Sequence, residues 1–221
     1  MSLERYWQAF SSIQGEVLGA IVLENRHLPI LEVNAGYPSA TGQIFEIKRF
    51  YAARGRPACL ILPEGSSLEL EANNAQFVAH IGFVVLEWES KRVPDWALMP
   101  TVEQVGWGAA RSLAQTWCDQ VGTRGWEVGV SNEIARVMPS NPNVSAYTAF
   151  EAERVVGMGF ALNGRLHWLA GSAKTRIAIV KRAAFDSGIS IQFSVNLEQI
   201  SQFPLMRELG RYVVWTEVNP R

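Results

Sequence analysis

Cysteine and histidine are scarce. The chain has two cysteines, Cys59 and Cys118, and three histidines, His27, His80 and His167, scattered over 221 residues. None of them falls at a spacing that builds a metal centre, so no metal site is expected. Both cysteines sit among apolar neighbours, which reads as buried reduced thiols rather than a disulfide. No apolar run approaches membrane-spanning length, and the opening MSLERYWQAF lacks the apolar core of a signal peptide. The expectation is a cytoplasmic protein with no membrane partner. An excess of one charge is lacking too. The net charge is −1 and the pI near 6.3, with basic residues gathered only in pairs such as Lys48-Arg49, Lys91-Arg92 and Lys181-Arg182. A chain so balanced has no long-range attraction for a phosphate backbone, which argues against nucleic acid as a partner.

What is present is a core. Hydrophobic residues make up 48% and charged residues 19%, with eight Trp and ten Phe. That composition folds, and the length fits one large domain or two small ones.

Apolar spacing predicts a helix over 3–13, then strands in EVLGAIVLE and LPILEVNAG around Asn25-Arg26. A helix follows over 42–53, a buried strand in ACLILP, a helix in LELEANNAQFVAHI ended by Gly82, and a strand in FVVLEWE. Residues 90–100, with two prolines, read as a linker. Thr101 and Gln104 have the spacing of a capping box, and Val102, Val105, Ala109, Leu113 and Trp117 mark one stripe, so TVEQVGWGAARSLAQTWCDQVG reads as a helix. A short helix around 132–137 and a loop in MPSNPN come next. VSAYTAFE and RVVGMGFAL read as strands. Asn163-Gly164 then predicts a tight hairpin, since both central residues of such a turn need positive φ. The chain closes with a helix over 174–187, a strand over 189–195, a helix over 197–209 and a strand over 211–218.

Two stretches of this order repeat. IFEIKRFYAARGRPACLILP from Ile44 lies without a gap over IAIVKRAAFDSGISIQFSV from Ile177. Ile47 meets Val180, Lys48-Arg49 meets Lys181-Arg182, and Gly55 meets Gly188. Ala35-Gly36 precedes the first helix as Ala170-Gly171 precedes the second. IGFVVLEWE closes the first copy and LGRYVVWTE the second. The expected organisation is therefore two similar α/β units in tandem, residues 1–92 and 93–221.

The second unit resembles the GCN5-related N-acetyltransferase (GNAT) superfamily. The resemblance rests on RVVGMGFALNGRLHWLAG as a central hairpin, AAFDSGISIQFSVN as helix into strand, and LMRELGRYVVWTE; the first unit keeps a Gly-Phe pair at Gly82-Phe83. It implies an α/β (α+β) fold of two tandem GNAT-like units, each a mixed, mostly antiparallel sheet flanked by helices. It also implies acyl transfer from acetyl-CoA to an amine, a small molecule or a peptide N-terminus, by a monomer or homodimer.

In that family the pyrophosphate lies on backbone amides at a helix N-terminus, where unpaired N–H groups and the helix dipole favour an anion. The usual Arg/Gln-x-x-Gly-x-Gly/Ala loop is missing from both units. Gly171, Ser172, Lys174, Thr175 and Arg176 remain at the second helix start; the alternative is an ordinary Ser/Thr N-cap beside solvated basic residues. The first unit has Ser39 and Thr41 but no cation. By the resemblance, the backbone of Trp168, Leu169 and Ala170 pairs with the pantetheine arm and polarises the thioester carbonyl. Glu151 and Glu153 are candidate bases for the amine, though exposed hairpin carboxylates are commonly just solvated. His167 on the same strand reads as packed. The family's leaving-group tyrosine position holds Met206, and Tyr212 is a displaced substitute or a packed strand residue. These departures leave a second reading, a non-catalytic scaffold of the same fold that binds a small ligand or a protein.

Overall fold

The computed structural model describes residues 7, 8, 10–28, 30–89 and 99–218. The chain forms two compact units, Met1–Val84 with Gly210–Arg221, and Val85–Leu209. These cut the chain differently from the sequence segments 1–92 and 93–221, because two long strands each start in one unit and finish in the other.

In the first unit, β1 (Ile13–Val17) and β2 (Ala20–Glu24) pair antiparallel, with Val17 opposite Ala20. The strand expected over EVLGAIVLE is thus a hairpin. It folds at Leu18-Gly19, which take φ of 49° and 83°, the positive values a two-residue turn requires. The second expected strand shrinks to β3 (Gly36–Tyr37) after a single turn of 3-10 helix at Glu32–Asn34. Asn34 ties up this loop: its Nδ2 donates to the carbonyls of Leu28 and Ile30, and its Oδ1 accepts from the amide of Asn25. Helix α1 (Gln43–Ala52) then leads to β4 (Cys59–Pro63), as expected.

Helix α2 (Glu69–Asn74) is shorter than the sequence implied. Gln76 takes a φ of 66° and breaks it, and Phe77 opens β5 (Phe77–Trp88). The amphipathic pattern matched both structures; strand pairing decided it. The first unit closes with the far end of the last strand, Arg207–Glu217 (β11 in chain order), antiparallel to β4 from Tyr212 opposite Pro63 to Thr216 opposite Cys59. β3 and β4 are parallel, with Gly36 opposite Leu60. The core gathers Val22, Ile44, Ile47, Tyr51, Leu60, Leu62, Phe77 and Trp215. Tyr51 donates to the carbonyl of Leu23 at 2.6 Å. Cys59 and Cys118 are free thiols, both buried, and burial pushes each thiol up.

The second unit begins on the end of β5. β6 (Thr101–Val105) pairs antiparallel with β7 (Ser145–Glu151), so the capping-box reading of Thr101 and Gln104 is wrong. Of these five residues only Val102 is buried, so the pairing with β7, and not an alternating pattern of its own, makes the segment a strand. Helices α3 (Trp107–Ser112), α4 (Ala114–Val121) and α5 (Glu127–Ser140) follow. The last is longer than expected and carries Pro139 in its final turn. β8 (Arg154–Leu162) and β9 (Arg165–Gly171) form the hairpin at Asn163-Gly164, with φ of 49° and 78°. Helix α6 (Ala173–Ser187) ends on Gly188 in the left-handed conformation, and β10 (Ile191–Asn196) follows.

The expected helix over 197–209 is only a 3-10 stretch, Leu197–Gln202. Pro204 lacks an amide and disfavours helix in the residue before it, and β11 starts at Arg207. Strand order runs β6-β7-β8-β9-β10-β5 in this unit and β1-β2-β3-β4-β11-β5 in the other. Of the expected helix over 3–13, residues 7 and 8 are helical and Ile13 is in a strand, while residues 3–6 and 9 lie outside the described residues. Most of the expected linker, 90–98, also lies outside them.

Candidate active site

Strands β9 and β10 run parallel but meet at one step only. Arg165 faces Gln192, whose amide donates to the carbonyl of Gly164 at 2.8 Å. Beyond that step their register does not continue.

A bulge interrupts the pairing of β9 with β8. Phe160 of β8 faces His167, but Met158 faces Ala170, so Trp168 and Leu169 share the place opposite Gly159. Trp168 takes a φ of 52°, rare for so large a side chain. Its surroundings hold it there. The indole N–H of Trp117 on α4 donates to the Trp168 carbonyl at 2.7 Å. The Trp117 and Phe160 rings lie 5.6 and 5.1 Å from the Trp168 ring. His167 beside the bulge is buried, and burial, with the field of Arg165, keeps its imidazole well below the usual pKa and neutral.

At the end of β9 the chain turns directly into α6. Two glycines make this possible. A Cβ on Gly157 would lie 2.4 Å from Thr175 Cγ2 and 2.5 Å from the Ala170 carbonyl, and Gly171 has a φ of 117°. Ser172 caps the helix: its Oγ accepts from the Thr175 amide at 3.2 Å and lies 2.8 Å from Thr175 Oγ1. Lys174 is exposed and Thr175 buried.

Arg176 is partly buried one residue further on. Its Nη1 donates to Gln199 Oε1 at 3.0 Å, its guanidinium lies 5.1 Å from the Phe203 ring centre, and its buried Nε has no hydrogen-bond partner. No carboxylate pairs with it among the described residues, and burial lowers its pKa. Its contacts, Gln199 on the 3-10 helix after β10 and Phe203 just past its end, were not found from the sequence, since nothing local links them to Arg176. A cation so placed, beside free helix amides, is suited to an anion.

The other candidates are more dispersed. Glu151 ends β7 and Glu153 lies in the turn before β8, both exposed. They sit at the same end of the sheet as Gly171, because Gly157 faces Gly171 and the hairpin runs on past them. Among the described residues no hydrogen bond or ion pair links them to Ser172–Arg176. Tyr212 falls in the first unit, stacked on Phe83 at 5.4 Å with the planes 21° apart. Met206 is on no helix. With Glu87, Glu89, Pro204, Leu205 and Arg207 it lines a cleft of about 290 Å3, where Glu87 accepts from Gln192 Nε2 at 3.1 Å and pairs with Arg207.

In the first unit the corresponding amides are already occupied. The amide of Gly42, just before α1, donates to both carboxylate oxygens of Glu71 at 3.0 and 3.1 Å. Those of Ser39 and Ala40 donate to Gln43 Oε1 at 2.7 and 2.9 Å.

No protein-family model matches the sequence, and no curated protein matches it. Solved structures do. A GCN5-related N-acetyltransferase from Kribbella flavida superposes with a TM-score of 0.69 over 99% of this chain and 97% of its own, at 13% identity. One from Sphaerobacter thermophilus covers 73% of this chain and 59% of its own, with a TM-score of 0.53 and 13% identity. A functionally unknown conserved protein from Staphylococcus epidermidis covers 95% and 94%, with a TM-score of 0.56 and 9% identity. Likeness at such identities speaks for the fold, a mixed sheet flanked by helices in the GNAT manner.

Proposed function

We propose that the second unit is an acyl-CoA-dependent N-acyltransferase. The observation that carries this is the single-step pairing of β9 and β10, with the bulge at Trp168 next to it and Arg176, unpaired with any carboxylate among the described residues, one turn into α6. Ser172, Thr175 and the first amides of α6 hold the phosphates, with Lys174 and Arg176 supplying charge. Gly157 and Gly171 let that turn approach the sheet. The backbone of Trp168, Leu169 and Ala170 receives the pantetheine arm, and an amide at the bulge polarises the thioester carbonyl.

Bound acetyl-CoA supplies an activated acyl group. The acceptor, a small-molecule amine or a peptide N-terminus, attacks the carbonyl carbon; a C–N bond forms, the C–S bond breaks, and the thiolate leaves. Glu151 or Glu153 takes the amine's proton directly or through water. Tyr212 is assigned no part, since Phe83 packs against it.

The two units are read as one duplicated element of about GNAT plan. Lys48 of α1 donates to the Ala75 carbonyl and pairs with Glu217 at 3.1 Å, while its counterpart Lys181 lies 4.9 Å from the Trp88 ring centre. Both lysines thus brace a helix to the end of a closing strand. Among the described residues no helix is long and apolar enough to cross a membrane.

A second reading keeps the fold and drops the chemistry. It is favoured by the missing glycine-rich loop and by the loop position of Met206. Two measurements separate the readings. Saturation with acetyl-CoA at 100 times its Kd stabilises a binding fold by about 2.7 kcal/mol, and Arg176→Gln should erase most of that shift. Release of free CoA thiol over a panel of amines then reports turnover. Binding without release supports the scaffold reading, and the absence of binding at millimolar acetyl-CoA overturns the proposal.

A further inference from the structure

Three guanidinium groups in the first unit converge on one carboxylate. Glu24 ends β2 with its side chain 0% exposed. Arg26 Nε lies 2.6 Å from its Oε1, Arg56 Nη1 3.3 Å from the same oxygen, and Arg54 Nε 3.7 Å from Oε2. Burial acts to raise the Glu24 carboxyl, but the hydrogen bonds and fields of Arg26 and Arg56 outweigh it and hold the group below the usual range. Among the described residues, one negative charge therefore faces three positive ones.

The excess charge is held in place and open to solvent. The Arg54 guanidinium lies 3.6 Å from the Phe50 ring centre and its Nη1 donates to the Phe50 carbonyl at 3.0 Å. Arg56 Nη1 also donates to Asn34 Oδ1 at 3.2 Å. The side chains of Arg26, Arg54 and Arg56 remain 59%, 34% and 31% exposed. Each retains N–H donors beyond those contacts, because a guanidinium carries five. Planar forks fixed in this way suit an oxyanion, which several of them can bind at once.

We propose that Arg26, Arg54 and Arg56 form a binding site for a phosphate group. It lies past the C-terminal end of α1, away from the helix start where Glu71 occupies the Gly42 amide, and it does not rest on the acyltransferase reading.

The test uses the full chain carrying Arg176→Gln, which takes the partly buried cation out of the other proposed phosphate seat, in buffers of constant chloride ionic strength. Inorganic phosphate and phenyl phosphate are titrated by calorimetry. The expected result is binding with a Kd of about 1 mM or tighter, weakened about tenfold or more by Arg26→Gln with Arg54→Gln. Arg56 is kept, so that Glu24 stays compensated and the fold intact, and a single Arg26→Gln at the most exposed of the three provides a check that folding is not the cause. Tighter binding of phenyl phosphate assigns the site to a phosphomonoester on a larger molecule; equal or tighter binding of inorganic phosphate assigns it to the free ion. Failure of both to bind, or binding unchanged by the double substitution, overturns the proposal.

Discussion

The indole N–H of Trp117 donates to the carbonyl of Trp168 at 2.7 Å, and both rings are buried. This contact joins a helix to the one non-glycine strand residue, among those described, whose backbone has a positive φ, and so it fixes the bulge. Trp117→Phe keeps most of the packing but strands a buried carbonyl. A loss of about 1–3 kcal/mol is expected, read as a lower midpoint in urea with an unchanged slope. An unaltered midpoint would mean that packing alone holds the bulge.

Gly157 is the point where the first turn of α6 meets the sheet. With backbone and Thr175 within about 2.5 Å of any added Cβ, Gly157→Ala has to displace the helix start. Destabilisation of about 1–3 kcal/mol is expected, together with weaker acetyl-CoA binding. Gly55→Ala is a control of a different kind: its φ is 67° but open space surrounds it, so it should reduce stability without touching binding.

His167 gives a pH dependence of definite sign. Burial keeps its imidazole neutral in the folded chain, whereas the unfolded chain takes up a proton near the ordinary value of 6.5. The unfolded state therefore binds more protons below that pH. Stability should be constant above it and fall as the pH drops, by up to about 1.4 kcal/mol per unit from this group. Urea midpoints compared at pH 7.5 and 5.5, for the parent chain and His167→Gln, check it; an equal fall in both would remove His167 as the cause.

One acetyl-CoA per chain is the expected stoichiometry. The amides that would seat a second are held by Glu71 and Gln43. Calorimetry showing two equivalent sites would contradict this.

Local rules carried the second unit a long way. Asn163-Gly164 needs only its own backbone preferences to turn, and Ser172 and Gly188 cap α6 from within a few residues. The lysine-arginine pairs and the recurring glycines are what the expectation of a repeat rests on. Segments with two apolar readings went wrong. Residues 101–105 carry a helix stripe and residues 77–81 fit a helix and an alternating strand alike, and both segments are strands because neighbouring strands pair with them.

The candidate site divides along the same line. Sequence placed Gly171, Ser172, Thr175 and Arg176 at a helix start, because capping and helix geometry are written in consecutive residues. It had no means to show that no carboxylate among the described residues pairs with Arg176, that Glu71 takes the Gly42 amide, or that Tyr212 stacks on Phe83. Nor could it assign Gly210–Glu217 to the first unit. Those depend on which distant groups meet, and pairing between strands is set by the free energy of the whole core rather than by any window of the chain.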